Sequence, residues 1–432
     1  MKKYLNTVSA FQFYQLIRYS TLILIGIVFT KTALSNKAIG EYETFIFLAG
    51  AVSFFWLNGL LKAFLPLAGE AQNNKTNIFN AFILLQFYSI LAALFLFLLQ
   101  PYFSEYLLNG NKIPETGLLL IFIALSGPSN LAEYYYLIRK QNKRIIIYGV
   151  VSFFVQFVLV VLPVVFGYPI RISLIGLVIS AFLRYSWLLI LMIINNEFYA
   201  SKAFILEHLK LGGPLVAATL LSGSAQFVDG FIVTSKYDEA TFAVFRYGAR
   251  ELPLAMLLAN ALSSAMLPVF ADKKALKENL QKLKSSITKL MHLLFPLTAV
   301  LLLVSKPLFP IVFNPEFTES ATIFNIYLLL IISRLIMPQT ILNGLKITNP
   351  IMTASFFELV LNVLLSLLFV QFWGISGIAF ATFAAYLFEK IILAIIVKNK
   401  LKISLLSYLP IGLYLLYSFG IVVIFIFAEI IF

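Results

Sequence analysis

Residues 145–167 decide the fold: they read IIIYGVVSFFVQFVLVVLPVVFG and contain no charged side chain. A helix rises about 1.5 Å per residue, so a stretch of this length reaches across the roughly 30 Å hydrocarbon core of a bilayer. Apolar and polar residues do not alternate along it, as they do in a membrane-spanning β-strand. We therefore predict a transmembrane α-helix at 145–167.

Windows of the same kind fill almost all of the 432 residues. In composition, 61% of residues are apolar and 12% are charged, about half the charged share of a soluble domain. The mean hydropathy is +0.94. These values exclude a soluble enzyme and a disordered chain, and they predict an all-α polytopic membrane protein. The thirteen predicted spans are 10–33, 41–66, 78–100, 116–138, 145–167, 172–194, 212–235, 239–268, 287–305, 320–343, 350–372, 374–397 and 404–431.

The distribution of basic residues predicts the orientation of these spans. The formal net charge is +13, from 32 Lys and Arg against 19 Asp and Glu. With the N-terminus in the cytoplasm, nineteen basic residues fall in inside segments and six in outside segments, as the positive-inside rule requires. The charge therefore indicates topology and not a nucleic-acid partner. The basic residues left within the spans are Arg18, Lys62, Arg184, Arg246, Arg250, Arg334 and Lys390.

Reactive and metal-binding side chains are scarce in this sequence. It has no cysteine and two histidines, His208 and His292. This excludes disulfides, thiolate nucleophiles and cysteine-bound metals. We predict no catalytic residue, no metal site and no cofactor, and we do not expect an enzyme.

The chain resembles itself at a displacement of roughly 200 residues, over six consecutive spans. Because six is an even number, both copies have the same topology. We predict two lobes, 1–200 and 205–400, and an additional C-terminal helix at 404–431. Two bundles with a site between them suit alternating access, whereas a pure scaffold is the alternative. The clearest matches pair Ser152-Phe153-Phe154 with Ser355-Phe356-Phe357, and Gly176, Phe182 and Tyr185 with Gly377, Phe383 and Tyr386.

Four short motifs occupy characteristic places along the two copies. They are Ile39-Gly40-Glu41-Tyr42 at the second span, Phe242-Ala243-Val244-Phe245 in the matching place of the second copy, Leu211-Gly212-Gly213-Pro214-Leu215 at the seventh span, and Gly374-Ile375-Ser376-Gly377-Ile378-Ala379 at the twelfth. With this order of motifs, about residues 1–400 resemble the multidrug/oligosaccharidyl-lipid/polysaccharide (MOP) exporter superfamily. Within that superfamily, the chain resembles the Wzx-type polysaccharide flippases.

This resemblance implies a MATE-like fold with two lobes of six transmembrane helices in a V shape, from which the thirteenth span departs. It implies a transporter that flips undecaprenyl-pyrophosphate-linked oligosaccharide repeat units across the bacterial inner membrane for O-antigen (lipopolysaccharide) or capsule synthesis. The implied partners are the lipid-linked oligosaccharide, the membrane lipids, and a coupling proton or sodium ion. A polysaccharide polymerase and glycosyltransferases are further implied partners.

The resemblance also implies that spans one, two, seven and eight line the transport cavity. A pyrophosphate is a multiple anion, and the arginine guanidinium binds phosphate through two parallel hydrogen bonds. Arg246 and Arg250 are four residues apart and share a helix face. We predict that the cations of these spans bind the pyrophosphate. The four cations and the two acids of these spans are Arg18, Lys62, Arg246, Arg250, Asp229 and Glu251.

Several polar residues of the spans have two interpretations. Asp229 and Glu251 either form salt bridges with the arginines or couple transport to an ion. Lys62 and Lys390 lie near inner ends of their spans, where snorkelling to the interface is the alternative. We predict Arg334 and Glu358 as a structural pair. The predicted sugar contacts are Gln15, Asn58, Gln226 and Tyr247.

Three other functions compete with this interpretation. A MATE-type multidrug or cation antiporter needs acidic groups in the cavity, which the positive balance disfavours. A lipid II flippase needs a similarly cationic cavity, so the sequence does not separate this alternative from the polysaccharide flippase. A membrane glycosyltransferase or polysaccharide polymerase belongs to a different class. Glu41-Tyr42-Glu43 imitates the paired acids of such enzymes, but the outer loops are short.

Overall fold

The computed structural model describes residues 7–69, 77–195, 197–249, 253–271, 275–345 and 347–431. Two predicted site residues, Arg250 and Glu251, lie outside these ranges, and only the backbone is described at Gln226. Within the described ranges the structure is helical and contains no β-strand. The helices are α1 (Thr7–Thr30), α2 (Asn36–Gly69), α3 (Ile78–Leu98), α4 (Gln100–Tyr102), α5 (Thr116–Ser129), α6 (Leu131–Ile138), α7 (Asn142–Val165), α8 (Ile170–Ile194), α9 (Lys202–Gly223), α10 (Ala225–Lys236), α11 (Glu239–Gly248), α12 (Pro253–Ala271), α13 (Leu276–Val312), α14 (Thr318–Leu328), α15 (Leu330–Arg334), α16 (Pro338–Gly344), α17 (Asn349–Leu401) and α18 (Ile411–Ile431), with a π-helical turn at Phe103–Leu107 and 3₁₀ turns at Pro315–Phe317 and Leu405–Ser407.

Eleven helical segments of the described chain are long and apolar enough to cross a bilayer. The longest, α17, has 53 residues, and its backbone leaves helical geometry at Trp373 and Gly374. Gly374 has φ of 56° and ψ of −141°, a conformation that glycine adopts readily because it lacks a Cβ atom. The kink divides α17 into two spans that agree with the predicted windows 350–372 and 374–397.

The predicted seventh and eighth spans are interrupted in the structure. Ser224 separates α9 from α10, and α11 ends at Gly248, which is followed by a bend at Ala249. Each of the thirteen predicted windows overlaps at least one helix, and the count of thirteen stays a prediction.

The chain forms two compact units. The first comprises Met1–Gly223 and Thr234–Ala243, and the second comprises Ser224–Val233 and Val244–Phe432. Helix α9 falls in the first unit because it packs along α2. These units follow spatial contacts, whereas the predicted lobes follow the internal repeat, so the lobe boundaries stay a prediction.

Helices α2 and α9 pack through small residues. A Cβ atom added to Gly59 would lie 2.6 Å from the Cα of Val216, and one added to Gly212 would lie 2.9 Å from the side chain of Leu60. The Nε2–H of His208 donates a hydrogen bond to the carbonyl of Leu60 at 2.8 Å. Between helices surrounded by lipid, such close van der Waals packing and hydrogen bonding provide the stabilisation. His208 therefore has a structural role here.

The predicted C-terminal helix is α18, which belongs to the second unit. Nδ1 of His292 on α13 lies 2.8 Å from the hydroxyl of Tyr417 on α18. Near the end of α18, Glu429 forms an ion pair with Lys306 at 2.8 Å and accepts a hydrogen bond from Asn325 at 2.8 Å. These polar contacts fix the rotation of α18 about its axis, so the extra helix is an integral part of its unit.

We expect Gly59→Ala to destabilise the protein, because the added methyl group would overlap the Val216 backbone and push α2 and α9 apart. Overpacking of this kind costs about 1–3 kcal/mol, and the melting temperature in detergent should fall. The matched control is Gly213→Ala on α9, where an added Cβ atom has no neighbour within 4 Å. Alanine should be neutral or stabilising there. Equal melting temperatures for the two variants would contradict the close approach.

Candidate functional site

The first unit contains a cavity of about 270 Å³, lined by residues of α1, α2, α5, α6, α7 and α8. The predicted residues Gln15, Arg18 and Asn58 line it, whereas the predicted residue Lys62 is exposed on α2 and does not. A polar cavity at membrane depth is a functional-site hypothesis, because polar groups inside a membrane need water or a ligand. The other polar lining residues are Ser53, Ser126, Asn130, Glu133, Tyr134, Gln156 and Arg184.

The contact between α1 and α7 is built around the buried Tyr14. Its ring stacks on Tyr148 with centroids 6.0 Å apart, and its centroid is 5.5 Å from that of Phe153. Gly149 makes room for this ring, since a Cβ atom there would lie 2.8 Å from Tyr14. Arg18 follows Tyr14 by four residues, so helix periodicity puts it on the same side of α1.

Glu133 on α6 is the anion of this cavity. Its side chain is only 2% exposed, interacts electrostatically with Arg18 and Arg184, and accepts a hydrogen bond from Tyr14. The guanidinium carbon of Arg184 lies 5.7 Å from the ring centroid of Phe153. Removing an ion from water costs several kcal/mol unless other groups compensate, and the two arginines and the tyrosine do so. The cluster has at least one positive charge in excess.

The sequence does not reveal that Arg18, Glu133 and Arg184 form one cluster. Arg184 has no partner near it in sequence, and Glu133 lies about 50 residues away on another helix. The available signal was the carboxylate itself, because an acid inside the predicted span 116–138 requires a partner. The Nε of Arg184 is buried and has no hydrogen-bond partner within the described ranges.

A second polar cluster lies inside the second unit around Asp229 on α10, which is 2% exposed. Its Oδ2 accepts hydrogen bonds from Tyr327 at 2.7 Å and from Thr382 at 2.5 Å, and Thr382 accepts one from Asn362 at 3.0 Å. Oδ1 of Asp229 and Oδ1 of Asn362 are buried without a hydrogen-bond partner among the described residues. The alternative of a salt bridge from Asp229 to Arg246 is not realised in the described structure.

Arg246 and Tyr247 lie near the end of α11. Tyr247 is buried and stacks on Phe317 with ring centroids 5.0 Å apart. This packing gives the ring a structural contact, and the role of Tyr247 as a sugar contact stays a prediction. Ser320 donates a hydrogen bond to the carbonyl of Val244 at 2.6 Å, which fixes one face of α11. Residue 246 is roughly half a turn round the helix from 244, so the half-buried Arg246 lies on the other face.

The predicted structural pair of Arg334 and Glu358 is not formed. The guanidinium carbon of Arg334 lies 5.4 Å from the ring centroid of Tyr386, and the buried Glu358 interacts electrostatically with Lys390. Lys390 is itself buried and forms an ion pair with Glu389 at 2.8 Å. It therefore does not snorkel to the interface, because its counter-ion lies beside it inside the unit.

Residues 33–322, about two thirds of the chain, match the family model described as polysaccharide biosynthesis protein. The chain belongs to this family. The description of this family agrees with the resemblance to the MOP exporters that the sequence motifs indicate. No curated protein matches the chain by sequence.

Solved structures show the fold of this polysaccharide biosynthesis family member. The chain is similar to the lipid II flippase MurJ in an inward closed conformation, with a TM-score of 0.69 and 20% identity over 97% of this chain and 93% of that one. It is similar to an inward-facing MATE family multidrug transporter, with a TM-score of 0.67 and 13% identity over 92% and 98%. A MOP superfamily transporter from Pyrococcus furiosus is similar with a TM-score of 0.53 and 13% identity over 92% and 93%. The predicted MATE-like polytopic fold is confirmed.

The family match includes two members of the first polar cluster and, of the second, Asp229. Glu133, Arg184, Asp229 and Arg246 lie within 33–322, whereas Arg18 on α1 precedes this range. The family description gives polysaccharide biosynthesis without a substrate. The substrate therefore has to be argued from the chemistry of the cavity.

Glu133→Gln should destabilise the protein, because Arg18 and Arg184 would lose their shared counter-ion. Leaving the two arginines without a nearby carboxylate costs free energy inside the protein, which should appear as a lower melting temperature in detergent. The double variant Glu133→Gln/Arg184→Gln should regain part of this loss.

The matched control for this prediction is Glu115→Gln. Glu115 pairs with Arg171 at 3.4 Å, and the two side chains are 34% and 66% exposed. An exposed pair contributes about 0–1 kcal/mol, so the control should melt close to the wild type. An unchanged melting temperature in Glu133→Gln would contradict the buried network.

Proposed function

We propose that the protein flips undecaprenyl-pyrophosphate-linked oligosaccharide repeat units across the bacterial inner membrane, from the cytoplasmic to the outer leaflet, for O-antigen or capsule synthesis. The observation that carries the proposal is the cavity of the first unit, where Arg18 and Arg184 outnumber Glu133. Membership of a polysaccharide biosynthesis family supports it. Alternating access is the proposed mechanism, and the partner enzymes are a polymerase and glycosyltransferases.

The pyrophosphate is the part of the substrate that the arginines recognise. It carries several negative charges, and a guanidinium presents five N–H donors in a rigid fork that matches phosphate oxygens. Arg184 has a donor to offer, because its Nε is buried without a partner in the part of the chain that the structure describes. Charge-assisted hydrogen bonds of this kind are roughly twice as strong as neutral ones.

The sugar part of the substrate suits the remaining wall of the cavity. Gln15, Asn58 and Gln156 carry side-chain amides that both donate and accept hydrogen bonds. Sugar hydroxyls also both donate and accept hydrogen bonds, so this wall offers the donors and acceptors that an oligosaccharide needs. Gln226 stays a proposed sugar contact of the second unit.

Four further residues complete the proposed set of charges. Arg246 lies on the face of α11 that does not contact Ser320, and we keep it with Arg250 as a phosphate ligand of the second unit. Lys62 is exposed on α2 outside the cavity, so it is the weakest of the proposed phosphate ligands. Glu251 stays proposed as an ion-coupling or salt-bridge residue.

Arg18→Ala and Arg184→Ala should each reduce flipping about ten- to hundredfold, because each removes charge-assisted hydrogen bonds worth about 1.5–3 kcal/mol. The measurement is surface polysaccharide in a bacterial strain that lacks its own flippase, with membrane levels of the protein quantified in parallel. The matched control is Arg171→Ala, an arginine of the same unit that is 66% exposed, and it should restore polysaccharide fully. Normal polysaccharide in both cavity variants would refute the proposed phosphate contacts.

Binding by the purified protein in nanodiscs distinguishes the competing functions. The proposal requires binding of undecaprenyl-pyrophosphate-linked oligosaccharide that weakens in Arg18→Ala. The positive charge in the cavity opposes the binding of cations, so the proposal predicts none. Saturable binding of a lipophilic cation would therefore favour the antiporter. Tighter binding of lipid II than of the oligosaccharide lipid would favour the lipid II flippase.

We also propose that Asp229 binds the coupling ion, either a proton or sodium. Its Oδ1 and the Oδ1 of Asn362 are buried oxygens without a partner among the described residues, beside the hydroxyls of Tyr327 and Thr382. Oxygen ligands of this type suit small hard cations. Binding a proton or a cation neutralises a carboxylate that is expensive to keep charged inside the membrane, so occupancy is expected to change the stability of the second unit.

Asp229→Asn should abolish the stabilisation of the protein by the coupling ion while keeping the shape of the side chain. One bound ligand at a hundredfold excess over its dissociation constant stabilises by about 2.7 kcal/mol. The measurement is the melting temperature in sodium chloride against choline chloride, at two pH values. The wild type should respond to sodium or to pH, and Asp229→Asn should respond to neither.

The control for the ion site is Asp238→Asn, which removes a carboxylate from the connection before α11. Asp238 is exposed and accepts a hydrogen bond from the backbone N–H of Thr241 at 2.9 Å, and the hydrogen bonds from Thr241 lower its pKa. Asparagine is as good an N-cap as aspartate, so this variant should keep the ion response. A response that persists in Asp229→Asn would exclude the proposed ion site.

A further inference from the structure

A groove of about 570 Å³ runs between α7 and α8 on the first unit. Its walls include the exposed apolar side chains of Val151, Leu183 and Ile190. Trp187 also lines it, and the indole Nε1–H donates a hydrogen bond to the hydroxyl of Tyr136 at 3.0 Å. The polar edge of the indole is therefore satisfied inside the protein, and the groove offers an apolar surface to whatever lies in it.

The length of the groove matches one leaflet of a membrane. Its lining follows α8 from Ser180 to Ile194, the last residue of that helix. Fourteen residues of helix rise about 21 Å, whereas half of the hydrocarbon core is about 15 Å thick. The groove thus extends from the middle of the membrane to its surface, as a lipid acyl chain does.

A basic loop lies at the same end of α8. Arg139 forms an ion pair with Glu197 at 2.7 Å, which ties the connection between α6 and α7 to the segment after α8. That connection and the first turn of α7 carry Lys140, Lys143 and Arg144, which are all exposed. Basic residues at this level attract an anionic leaflet electrostatically.

We propose that the groove binds an anionic phospholipid, with one acyl chain along α8 against Trp187 and the phosphate at Lys140, Lys143 and Arg144. The groove accepts hydrocarbon, and the three basic side chains toward the same end of α8 select a negative headgroup. Arg184 lines the membrane-centre end of the groove, where its charge is compensated by Glu133 on the cavity side. Lipid binding in this groove does not depend on the proposed transport function.

Trp187 provides a reporter for this site. The sequence has three tryptophans, and the other two are the buried Trp56 and the lipid-exposed Trp373. In a Trp373→Phe background, bromine atoms on lipid acyl chains quench Trp187 only when a chain lies against it. We reconstitute this variant into phosphatidylcholine vesicles that contain increasing fractions of brominated phosphatidylglycerol or brominated phosphatidylcholine. Half-maximal quenching should need about fivefold less of the brominated phosphatidylglycerol.

The neutralised variant Lys140→Gln/Lys143→Gln/Arg144→Gln should lose this preference. Its matched control is Lys398→Gln/Lys400→Gln/Lys402→Gln, three exposed lysines at the end of α17 in the second unit, which should retain it. A Trp187→Phe variant, which reports through Trp373, should show no preference. The emission maximum in plain phosphatidylcholine checks the fold of each variant, and Lys143→Gln alone should give a partial loss if the triple variant does not fold.

Three outcomes would overturn the lipid site. Equal quenching by both brominated lipids would show that the groove does not select charge. Loss of preference in both triple variants would show attraction to the general surface potential. Relief of quenching by undecaprenyl phosphate but not by unbrominated phosphatidylglycerol would assign the groove to the chain of the transported lipid.

Discussion

A charge inside hydrocarbon has to be compensated, and the interior of this protein is arranged around that constraint. Glu133 interacts electrostatically with two arginines and accepts a hydrogen bond from a tyrosine, so its carboxylate is compensated at membrane depth. Glu389 and Lys390 compensate each other side by side. Asp229 is different, because hydroxyl groups hold one of its oxygens and no cation pairs with it in the described structure. Glu133 and Glu389 are therefore compensated by nearby cations, whereas Asp229 is compensated by hydrogen bonds from hydroxyl groups.

Close helix packing makes these arrangements possible. The glycine at 149 leaves space for the ring of Tyr14, which in turn donates its hydroxyl to Glu133. The glycine at 59 lets α2 meet the backbone of α9 directly. In lipid there is no hydrophobic drive between helices, so such fitted contacts set the rotation of each helix. The rotation then decides which side chains line the cavity.

The two units differ in their polar chemistry. The first unit has an excess of cations around a cavity with amide-bearing walls, which suits a phosphate joined to sugars. The second unit has a buried carboxylate with hydroxyl and amide partners, which suits a small ion. A flippase driven by an ion gradient needs both kinds of site, and the groove along α8 would add a contact with the surrounding lipid. These assignments are proposals that rest on the chemistry of each cluster.

The sequence by itself determined the helical class and the approximate positions of the spans, because apolar length is a local property of the chain. The order of its motifs indicated a resemblance to the MOP exporters. The sequence also identified Arg18 and Asp229 as charged residues inside predicted spans, where each requires a compensating partner or a function. Only the tertiary structure decided the partners of these side chains. Glu133 interacts with Arg184 on another helix, and Tyr247 stacks on an aromatic ring. Arg334 lies over the ring of Tyr386 and does not pair with Glu358. Partner choice depends on how helices far apart in sequence are rotated against each other. Helical periodicity fixes which residues share a face, but it does not say which neighbour that face meets.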